Sequence, residues 1–302
     1  MNWIKYLPLE LRKNKHPCKP SGPSINSATL KQCAIEHNHI EFRAPRHSYL
    51  CNTIIQMPIR HYHQKIVLRS FNDGVMENDD WKQDTFFARG WNFWGAWLTG
   101  KKASLSMNAM QIAKAKNFEY PSEISFFHPR AFENVVGDYL NATFGHKNSG
   151  INWPAYEGPN HWQPRNLSGT FGASFDVQQV IQGEPTSLRF QHLLFPITKS
   201  SFIDITFIHS VTSATNAENQ RLVDPAPLNQ LSEDIINSFK VKLSSESQAE
   251  WDRVKAECPD MSLATHFAPL KWPTASSPET AASAITSITD DNLLSFANQR
   301  LE

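Results

Sequence analysis

Apolar residues recur along this chain at two different periods, and the change from one to the other marks out its elements. Across 40–68 they come in short groups with β-branched members, Ile54-Ile55, Ile59 and Ile66-Val67-Leu68, cut by Pro45 and Pro58, which predicts strands. After Pro129 the period lengthens. Ala131, Phe132, Val135, Val136, Tyr139, Leu140 and Phe144 fall on one helical face, with Gly145 as the stop. Segments 169–181, 188–197 and 202–211 read as three strands, the last two joined into a hairpin by Thr198-Lys199-Ser200-Ser201. Leu228, Leu231, Ile235, Ile236 and Phe239 return to helical spacing. Asn229 or Ser232 stands near that helix's start, and Glu233-Asp234 complement the positive end of its dipole. A third helix over 248–257 stops before Pro259, and a Ser/Thr/Ala-rich link over 273–289 leads to a short last helix over 290–300.

Other stretches carry weaker periodicity. Segment 72–84 predicts a turn-rich acidic loop, and 103–115 fits a helix or a strand. Segment 150–168, GINWPAYEGPNHWQPRNLS, holds three Pro and two Gly and predicts a long loop, ordered by its two Trp. Basic, Pro-containing 12–27 predicts an extended connection ahead of the body. The resulting division is an N-terminal extension over 1–39, an antiparallel-sheet α+β body over 40–245 and a C-terminal helical extension over 246–302.

Composition narrows the class. Lys plus Arg and Asp plus Glu are both 29, so the formal charge is zero and no global field favours nucleic acid. The N-terminal Trp3, Ile4, Tyr6, Leu7, Leu9 and Leu11 are interrupted by Lys5, Pro8 and Glu10. No apolar run reaches the length of a signal core or a membrane span, so the expectation is a cytoplasmic protein with no membrane partner. Cys18, Cys33, Cys51 and Cys258 form no CxxC, which predicts free thiols.

Five motif-like features bear on chemistry. Gly95-Ala-Trp-Leu-Thr-Gly100-Lys101 matches a phosphate-cradling loop up to its lysine. Lys102 then occupies the place of the magnesium-binding hydroxyl, so a Gly-Lys turn is expected and no cofactor. His37/His39 and His61/His63 are spaced for one face of a strand but bring no third ligand, so no metal is expected. The acidic run 72–80 lacks the spacing of a calcium loop. Ser174, in Gly172-Ala-Ser174, carries half of a nucleophile elbow within an alternating strand. Glu119, Glu157 and Asp176 are among the carboxylates from which a hydrolytic pair could be drawn.

The remaining signal is aromatic density among polar neighbours, in a chain with nine Trp, 19 Phe and six Tyr. Trp supplies large rigid contact area with a polar edge. The candidate binding residues are therefore Trp91, Trp94, Trp153, Tyr156, His161, Trp162 and Arg165, no catalytic residue being assigned.

Within 188–243, a long hairpin, HLLFPITKSSFIDITFIHS, is followed by a sheet-covering helix and short strand, LNQLSEDIINSFKVKL. This stretch resembles the C-terminal half of PsbP-like domains. The resemblance implies an α/β/α sandwich built on an antiparallel sheet, in binding, assembly and immunity-type proteins with no shared catalytic residues. The leading expectation is a soluble, non-enzymatic protein-interaction module, in its narrower form a bacterial toxin-neutralising protein. The alternative is a hydrolase or sugar-acting enzyme whose Trp residues stack a ligand beside Glu119, Glu157 or Asp176.

Overall fold

The computed structural model describes residues 17–48, 51, 56, 69–72, 77–96, 99–114, 124–147, 154–181, 183–211 and 222–272. Its strands are β1 (Thr29–Ile35), β2 (Asn38–Ala44), β3 (Arg69–Asn72), β4 (Glu77–Trp94), β5 (Lys101–Lys114), β6 (Tyr156–Asn166), β7 (Phe171–Ile181), β8 (Glu184–Pro196), β9 (Ser201–Val211) and β10 (Lys240–Lys242). The helices are α1 (Pro129–Thr143), α2 (Ala226–Asn237) and α3 (Ser245–Glu257). A seven-stranded sheet runs in the order β3-β4-β5-β9-β8-β7-β6, and a three-stranded sheet in the order β1-β2-β10. Every strand pair is antiparallel, so the chain is α+β.

Strand alternation sorts the core into two clusters. Phe202, with Leu194 and Phe175, joins Phe132, Val135, Val136 and Tyr139 of α1. The intervening residues Leu193, Phe195, Ile203, Ile205 and Phe207 join Leu228, Leu231, Ile235 and Ile236 of α2, together with Ile40 and Phe42 of the small sheet. Ile235, Ile236 and Phe239 are buried against the hairpin, as their helical spacing predicts, and Phe239 stacks on Phe42 at 4.7 Å. Gly169 lets the β6–β7 turn press onto β10, because a Cβ there would strike the Val241 carbonyl, and Val241 N–H donates to Leu167 O at 3.0 Å.

Two expectations need correction, and one open alternative is decided. The acidic segment is not a loop through residue 84, because β4 starts at Glu77 and pairs Trp81 with Lys114 and Asp84 with Gln111. Ladder pairing satisfies the backbone there, and strand formation depends more on that context than on side-chain polarity. The undecided segment 103–115 belongs to β5, a central strand whose nearly continuous burial removes the alternation that identifies a half-buried strand. The predicted loop 150–168 contains β6, an edge strand in which Pro159 and Pro164 are tolerated because one side of the strand needs no ladder donors. Its register with β7 shifts between Glu157 and Asn160 and again between Asn160 and Gln163.

The helix start at Pro129, the free thiols and the Gly-Lys turn match expectation. Helix α1 starts at Pro129, and α3 is capped by Ser244, whose Oγ accepts the Ser247 N–H. Helix α2 begins at Ala226, a few residues earlier than Asn229, with Asp224 Oδ1 accepting the Ala226 N–H at 2.9 Å. The four thiols are free, and burial pushes that of Cys33 up to about 12. Gly95 N–H donates to Gly100 O, and Lys101 opens a strand rather than a helix. His37 lies with Glu36 at positive φ in the β1–β2 turn instead of sharing a strand face with His39. Among the described residues no three His, Cys, Asp or Glu gather to hold a metal. The same residues contain no helix long and apolar enough to cross a membrane. His61, His63, Glu119, Trp153 and the segment 273–302 lie outside the described residues.

Candidate functional site

The candidate residues gather around β6, but alternation distributes them over both of its faces. Tyr156 and Trp162 face α1. The Trp162 ring stacks between Phe175, at 5.4 Å, and Phe267, at 4.2 Å, and its Nε1–H donates to Ala264 O at 2.8 Å. Tyr156 meets Phe144 edge-on at 5.1 Å. His161 and Arg165 face α2. Arg165 is committed to that helix, with Nη2 2.6 Å from Glu233 Oε1 and Nη1 donating to Asn237 Oδ1, while Nε donates to Ser174 Oγ. Trp91 and Trp94 are elsewhere. Trp91 is wholly buried with its indole N–H toward Pro45 O, and half-buried Trp94 exchanges two backbone hydrogen bonds with Ser21.

On the α1 side, the extended segment 258–272 runs beside β6 as a strap. Leu270 N–H donates to Gly158 O, Lys271 N–H to Asn141 Oδ1 and His146 N–H to Lys271 O. Between strap and strand lies an open groove of about 340 Å³ lined by Pro154, Tyr156, Pro159, Phe267, Leu270 and Trp272. Trp272 Nε1 is buried there with no hydrogen-bond partner.

The α2 side carries a polar chain across the sheet. His161, at φ 55° and with its side chain 84% exposed, places Nδ1 3.1 Å from Asp176 Oδ2. Asp176 Oδ2 also lies 3.8 Å from Arg189 Nη1, while its Oδ1 is buried without a partner. Arg189 Nη2 donates to Asn229 Oδ1 and to His209 Nδ1, the latter at 3.1 Å. His209 Nε2 is 3.2 Å from Gln191 Oε1, which also accepts from Ser232 Oγ. These partners fit a neutral His209 with its proton on Nε2.

Burial and then the Arg189 charge hold His209 well below the usual imidazole range. The unfolded chain therefore takes up a proton near pH 6.5 that the folded chain refuses, so stability should fall as pH drops below about 6.5. One such group contributes a slope of at most about 1.4 kcal/mol per pH unit. His47, also lowered by burial, adds in the same direction. Urea titrations between pH 7 and 5 should show this loss, and His209→Gln should flatten it without abolishing it.

Sequence reasoning passed over Arg189, His209 and Trp272, and with them a second, wholly buried network of His192, Asp204, Tyr139 and Thr206. The available signal was positional: His192 and Asp204 fall on the same strand phase as Phe190, Leu194 and Phe202, an apolar series in which a charged group requires partners.

No family model matches the chain, and no curated protein matches it. Among solved structures, LpqN of Mycobacterium tuberculosis, involved in cell envelope biogenesis, is 11% identical, with a TM-score of 0.28 over 55% of this chain and 80% of its own. The Ran-binding protein Mog1p of Saccharomyces cerevisiae is 12% identical, with a TM-score of 0.30 over 74% of this chain and 99% of its own. A Mog1 variant gives the same identity, coverage and score. These are partial likenesses, and the fold rests on this chain's own strand order and packing.

Proposed function

We propose that this chain is a non-enzymatic protein-interaction module of the cytoplasm, built as a PsbP-like α/β/α sandwich, and that its contact surface is the groove between β6 and the 258–272 strap. The sandwich reading draws on α1 and α2 packing with alternate residues of β8 and β9. The observation that carries the binding reading is the combination of prolyl and aromatic lining with the unpaired, buried Trp272 N–H. Such a lining suits an extended, proline-containing segment, whose rings pack on aromatics and whose carbonyls can accept from an indole. The occupant is thus a segment of a partner protein, and toxin neutralisation is the narrower form of the same reading.

Selection from a displayed library of extended peptides tests it. Enriched sequences should contain proline, and Trp272→Phe, which keeps an aromatic but removes the N–H, should weaken them at least about tenfold, or 1.4 kcal/mol. Enrichment of nothing, or peptides that bind Trp272→Phe and Tyr156→Ala as well as the parent, would overturn it.

A second reading, an acid–base enzyme, draws on the His161–Asp176 pair beside Arg189. A hydrolase using that pair would lose about 10²-fold or more with His161→Ala.

A further inference from the structure

The two sheets end in four edge strands, and three of these are closed against further pairing. Strand β3 has four residues and a register shift between Ser70 and Phe71. Strand β6 carries Pro159 and Pro164, two register shifts and the strap's hydrogen bond at Gly158 O. Strand β10 has three residues, and its Val241 N–H already donates to Leu167 O. Shortness, proline, bulges and cover all keep an edge ladder from pairing with another chain.

Strand β1 has none of these protections among the described residues. Its seven residues pair with β2 in one unbroken register, contain neither proline nor glycine, and have no described strand on their outer side. Cys33 and Ile35 point into the core. Leu30, Gln32 and Ala34 lie on the opposite face, where Gln32 Nε2 donates to Glu41 Oε1 at 2.7 Å and Leu30 is 52% exposed.

An open ladder of this length is a template for an extended segment, and antiparallel pairing is what a twofold axis generates from two copies of one strand. With Gln32 on the axis, Leu30 falls opposite Ala34 of the second copy, Lys31 opposite Cys33 and Thr29 opposite Ile35. Lys31 is the strand's one charged residue, so no like charges meet, and exposed Leu30 gains an apolar neighbour. The strand is complementary to itself, which selects a second copy as its occupant.

We propose that β1 is a self-association surface, through which two copies of this chain pair antiparallel about Gln32 and join their three-stranded sheets into one. One strand pair buries less than the roughly 1,600 Å² of a standard interface, so association is weak and concentration-dependent. The edge is separate from the groove, and neither proposal depends on the other.

Sedimentation velocity of the full chain tests it, from about 1 µM to 1 mM. The parent should pass from monomer to dimer in that range. Leu30→Glu with Ala34→Glu sets like charges opposite each other at both ends of the pairing, and should raise the dimer Kd at least about tenfold. Leu30→Lys with Ala34→Lys should do the same. An equimolar mixture of the two double variants should associate at least as well as the parent, because every apposed pair is then of opposite charge. Both variants should keep the parent's urea midpoint, the changed side chains lying on the outer face. A chain that stays monomeric throughout would leave the edge to a foreign segment and overturn the proposal. A dimer that both double variants leave intact, or a mixture that associates no better than either variant alone, would also overturn it.

Discussion

Asp204→Ala is expected to destabilise the protein by about 3–5 kcal/mol, because each buried donor left without an acceptor costs about 1–3 kcal/mol. Asp204 is fully buried, and its two oxygens serve three donors. Oδ1 accepts from His192 Nδ1 at 3.0 Å and Thr206 Oγ1 at 3.1 Å, and Oδ2 accepts from Tyr139 Oη at 2.8 Å. Burial and then the Asp204 charge hold the Tyr139 hydroxyl well above its usual range, so it remains a donor. The His192 ring is held by Phe175, stacked at 5.1 Å, and by Phe144, edge-on at 5.5 Å, so it has little freedom to find another acceptor. Alanine would strand all three donors where water does not reach. Tyr139→Phe removes one hydrogen bond to a charged group and should cost less, about 1.5–3 kcal/mol. Urea denaturation should show both as shifts in midpoint at constant slope. An Asp204→Ala cost under about 1 kcal/mol would mean that this carboxylate does not organise the interface between α1 and the sheet.

How much of this was legible depends on what decides each element. Helices α1 and α2 were readable because each buries one face, and burial of one face writes a period into the sequence, while the β8–β9 hairpin, covered on both faces, was readable from apolar β-branched and aromatic runs either side of a polar turn, and α3 from the proline that follows it. Strand β5 was not, because its two covered faces leave no period and its run of Ala, Ser and Met favours neither helix nor strand. The polar residues from Glu77 to Asp84 read as a loop although neighbouring strands supply their ladder, a long-range effect that no local window contains. The prolines of β6 carried a true signal assigned to the wrong element, since an edge strand tolerates them as a loop does. For the candidate site, aromatic density led to the correct strand. It could not tell that His161 and Trp162, adjacent in sequence, serve opposite faces, nor that Trp91 would be core. Arg189 and His209 were hidden for a different reason: their cluster is assembled from β7, β8, β9 and α2, and only the register aligns it.

Trp162→Ala is expected to cost about 3 kcal/mol, the lower end of the range for emptying a Trp site, because the ring is half-buried rather than enclosed. Two parts of the fold meet that ring at three points: Phe175 of β7 lies beneath it, and the strap supplies both Phe267 above it and Ala264 O at its indole N–H. The strap has its other anchors on α1 and β6, where Ala264 N–H donates to Glu133 Oε1, Lys271 N–H to Asn141 Oδ1 and Leu270 N–H to Gly158 O. Those are single hydrogen bonds, each with a net worth of about 1 kcal/mol, so the stacked ring is the larger attachment. Its loss should therefore also release the strap, and limited proteolysis should cut within 258–272 much faster in Trp162→Ala than in the parent. Trp162→Phe keeps the stack and removes only the indole donor, so it should recover all but about 1 kcal/mol. A recognition residue would behave in the opposite way: Trp162→Ala would leave the urea midpoint nearly unchanged and weaken a bound peptide by about 2 kcal/mol or more. The two measurements together decide whether Trp162 holds the floor of the groove or touches what binds in it.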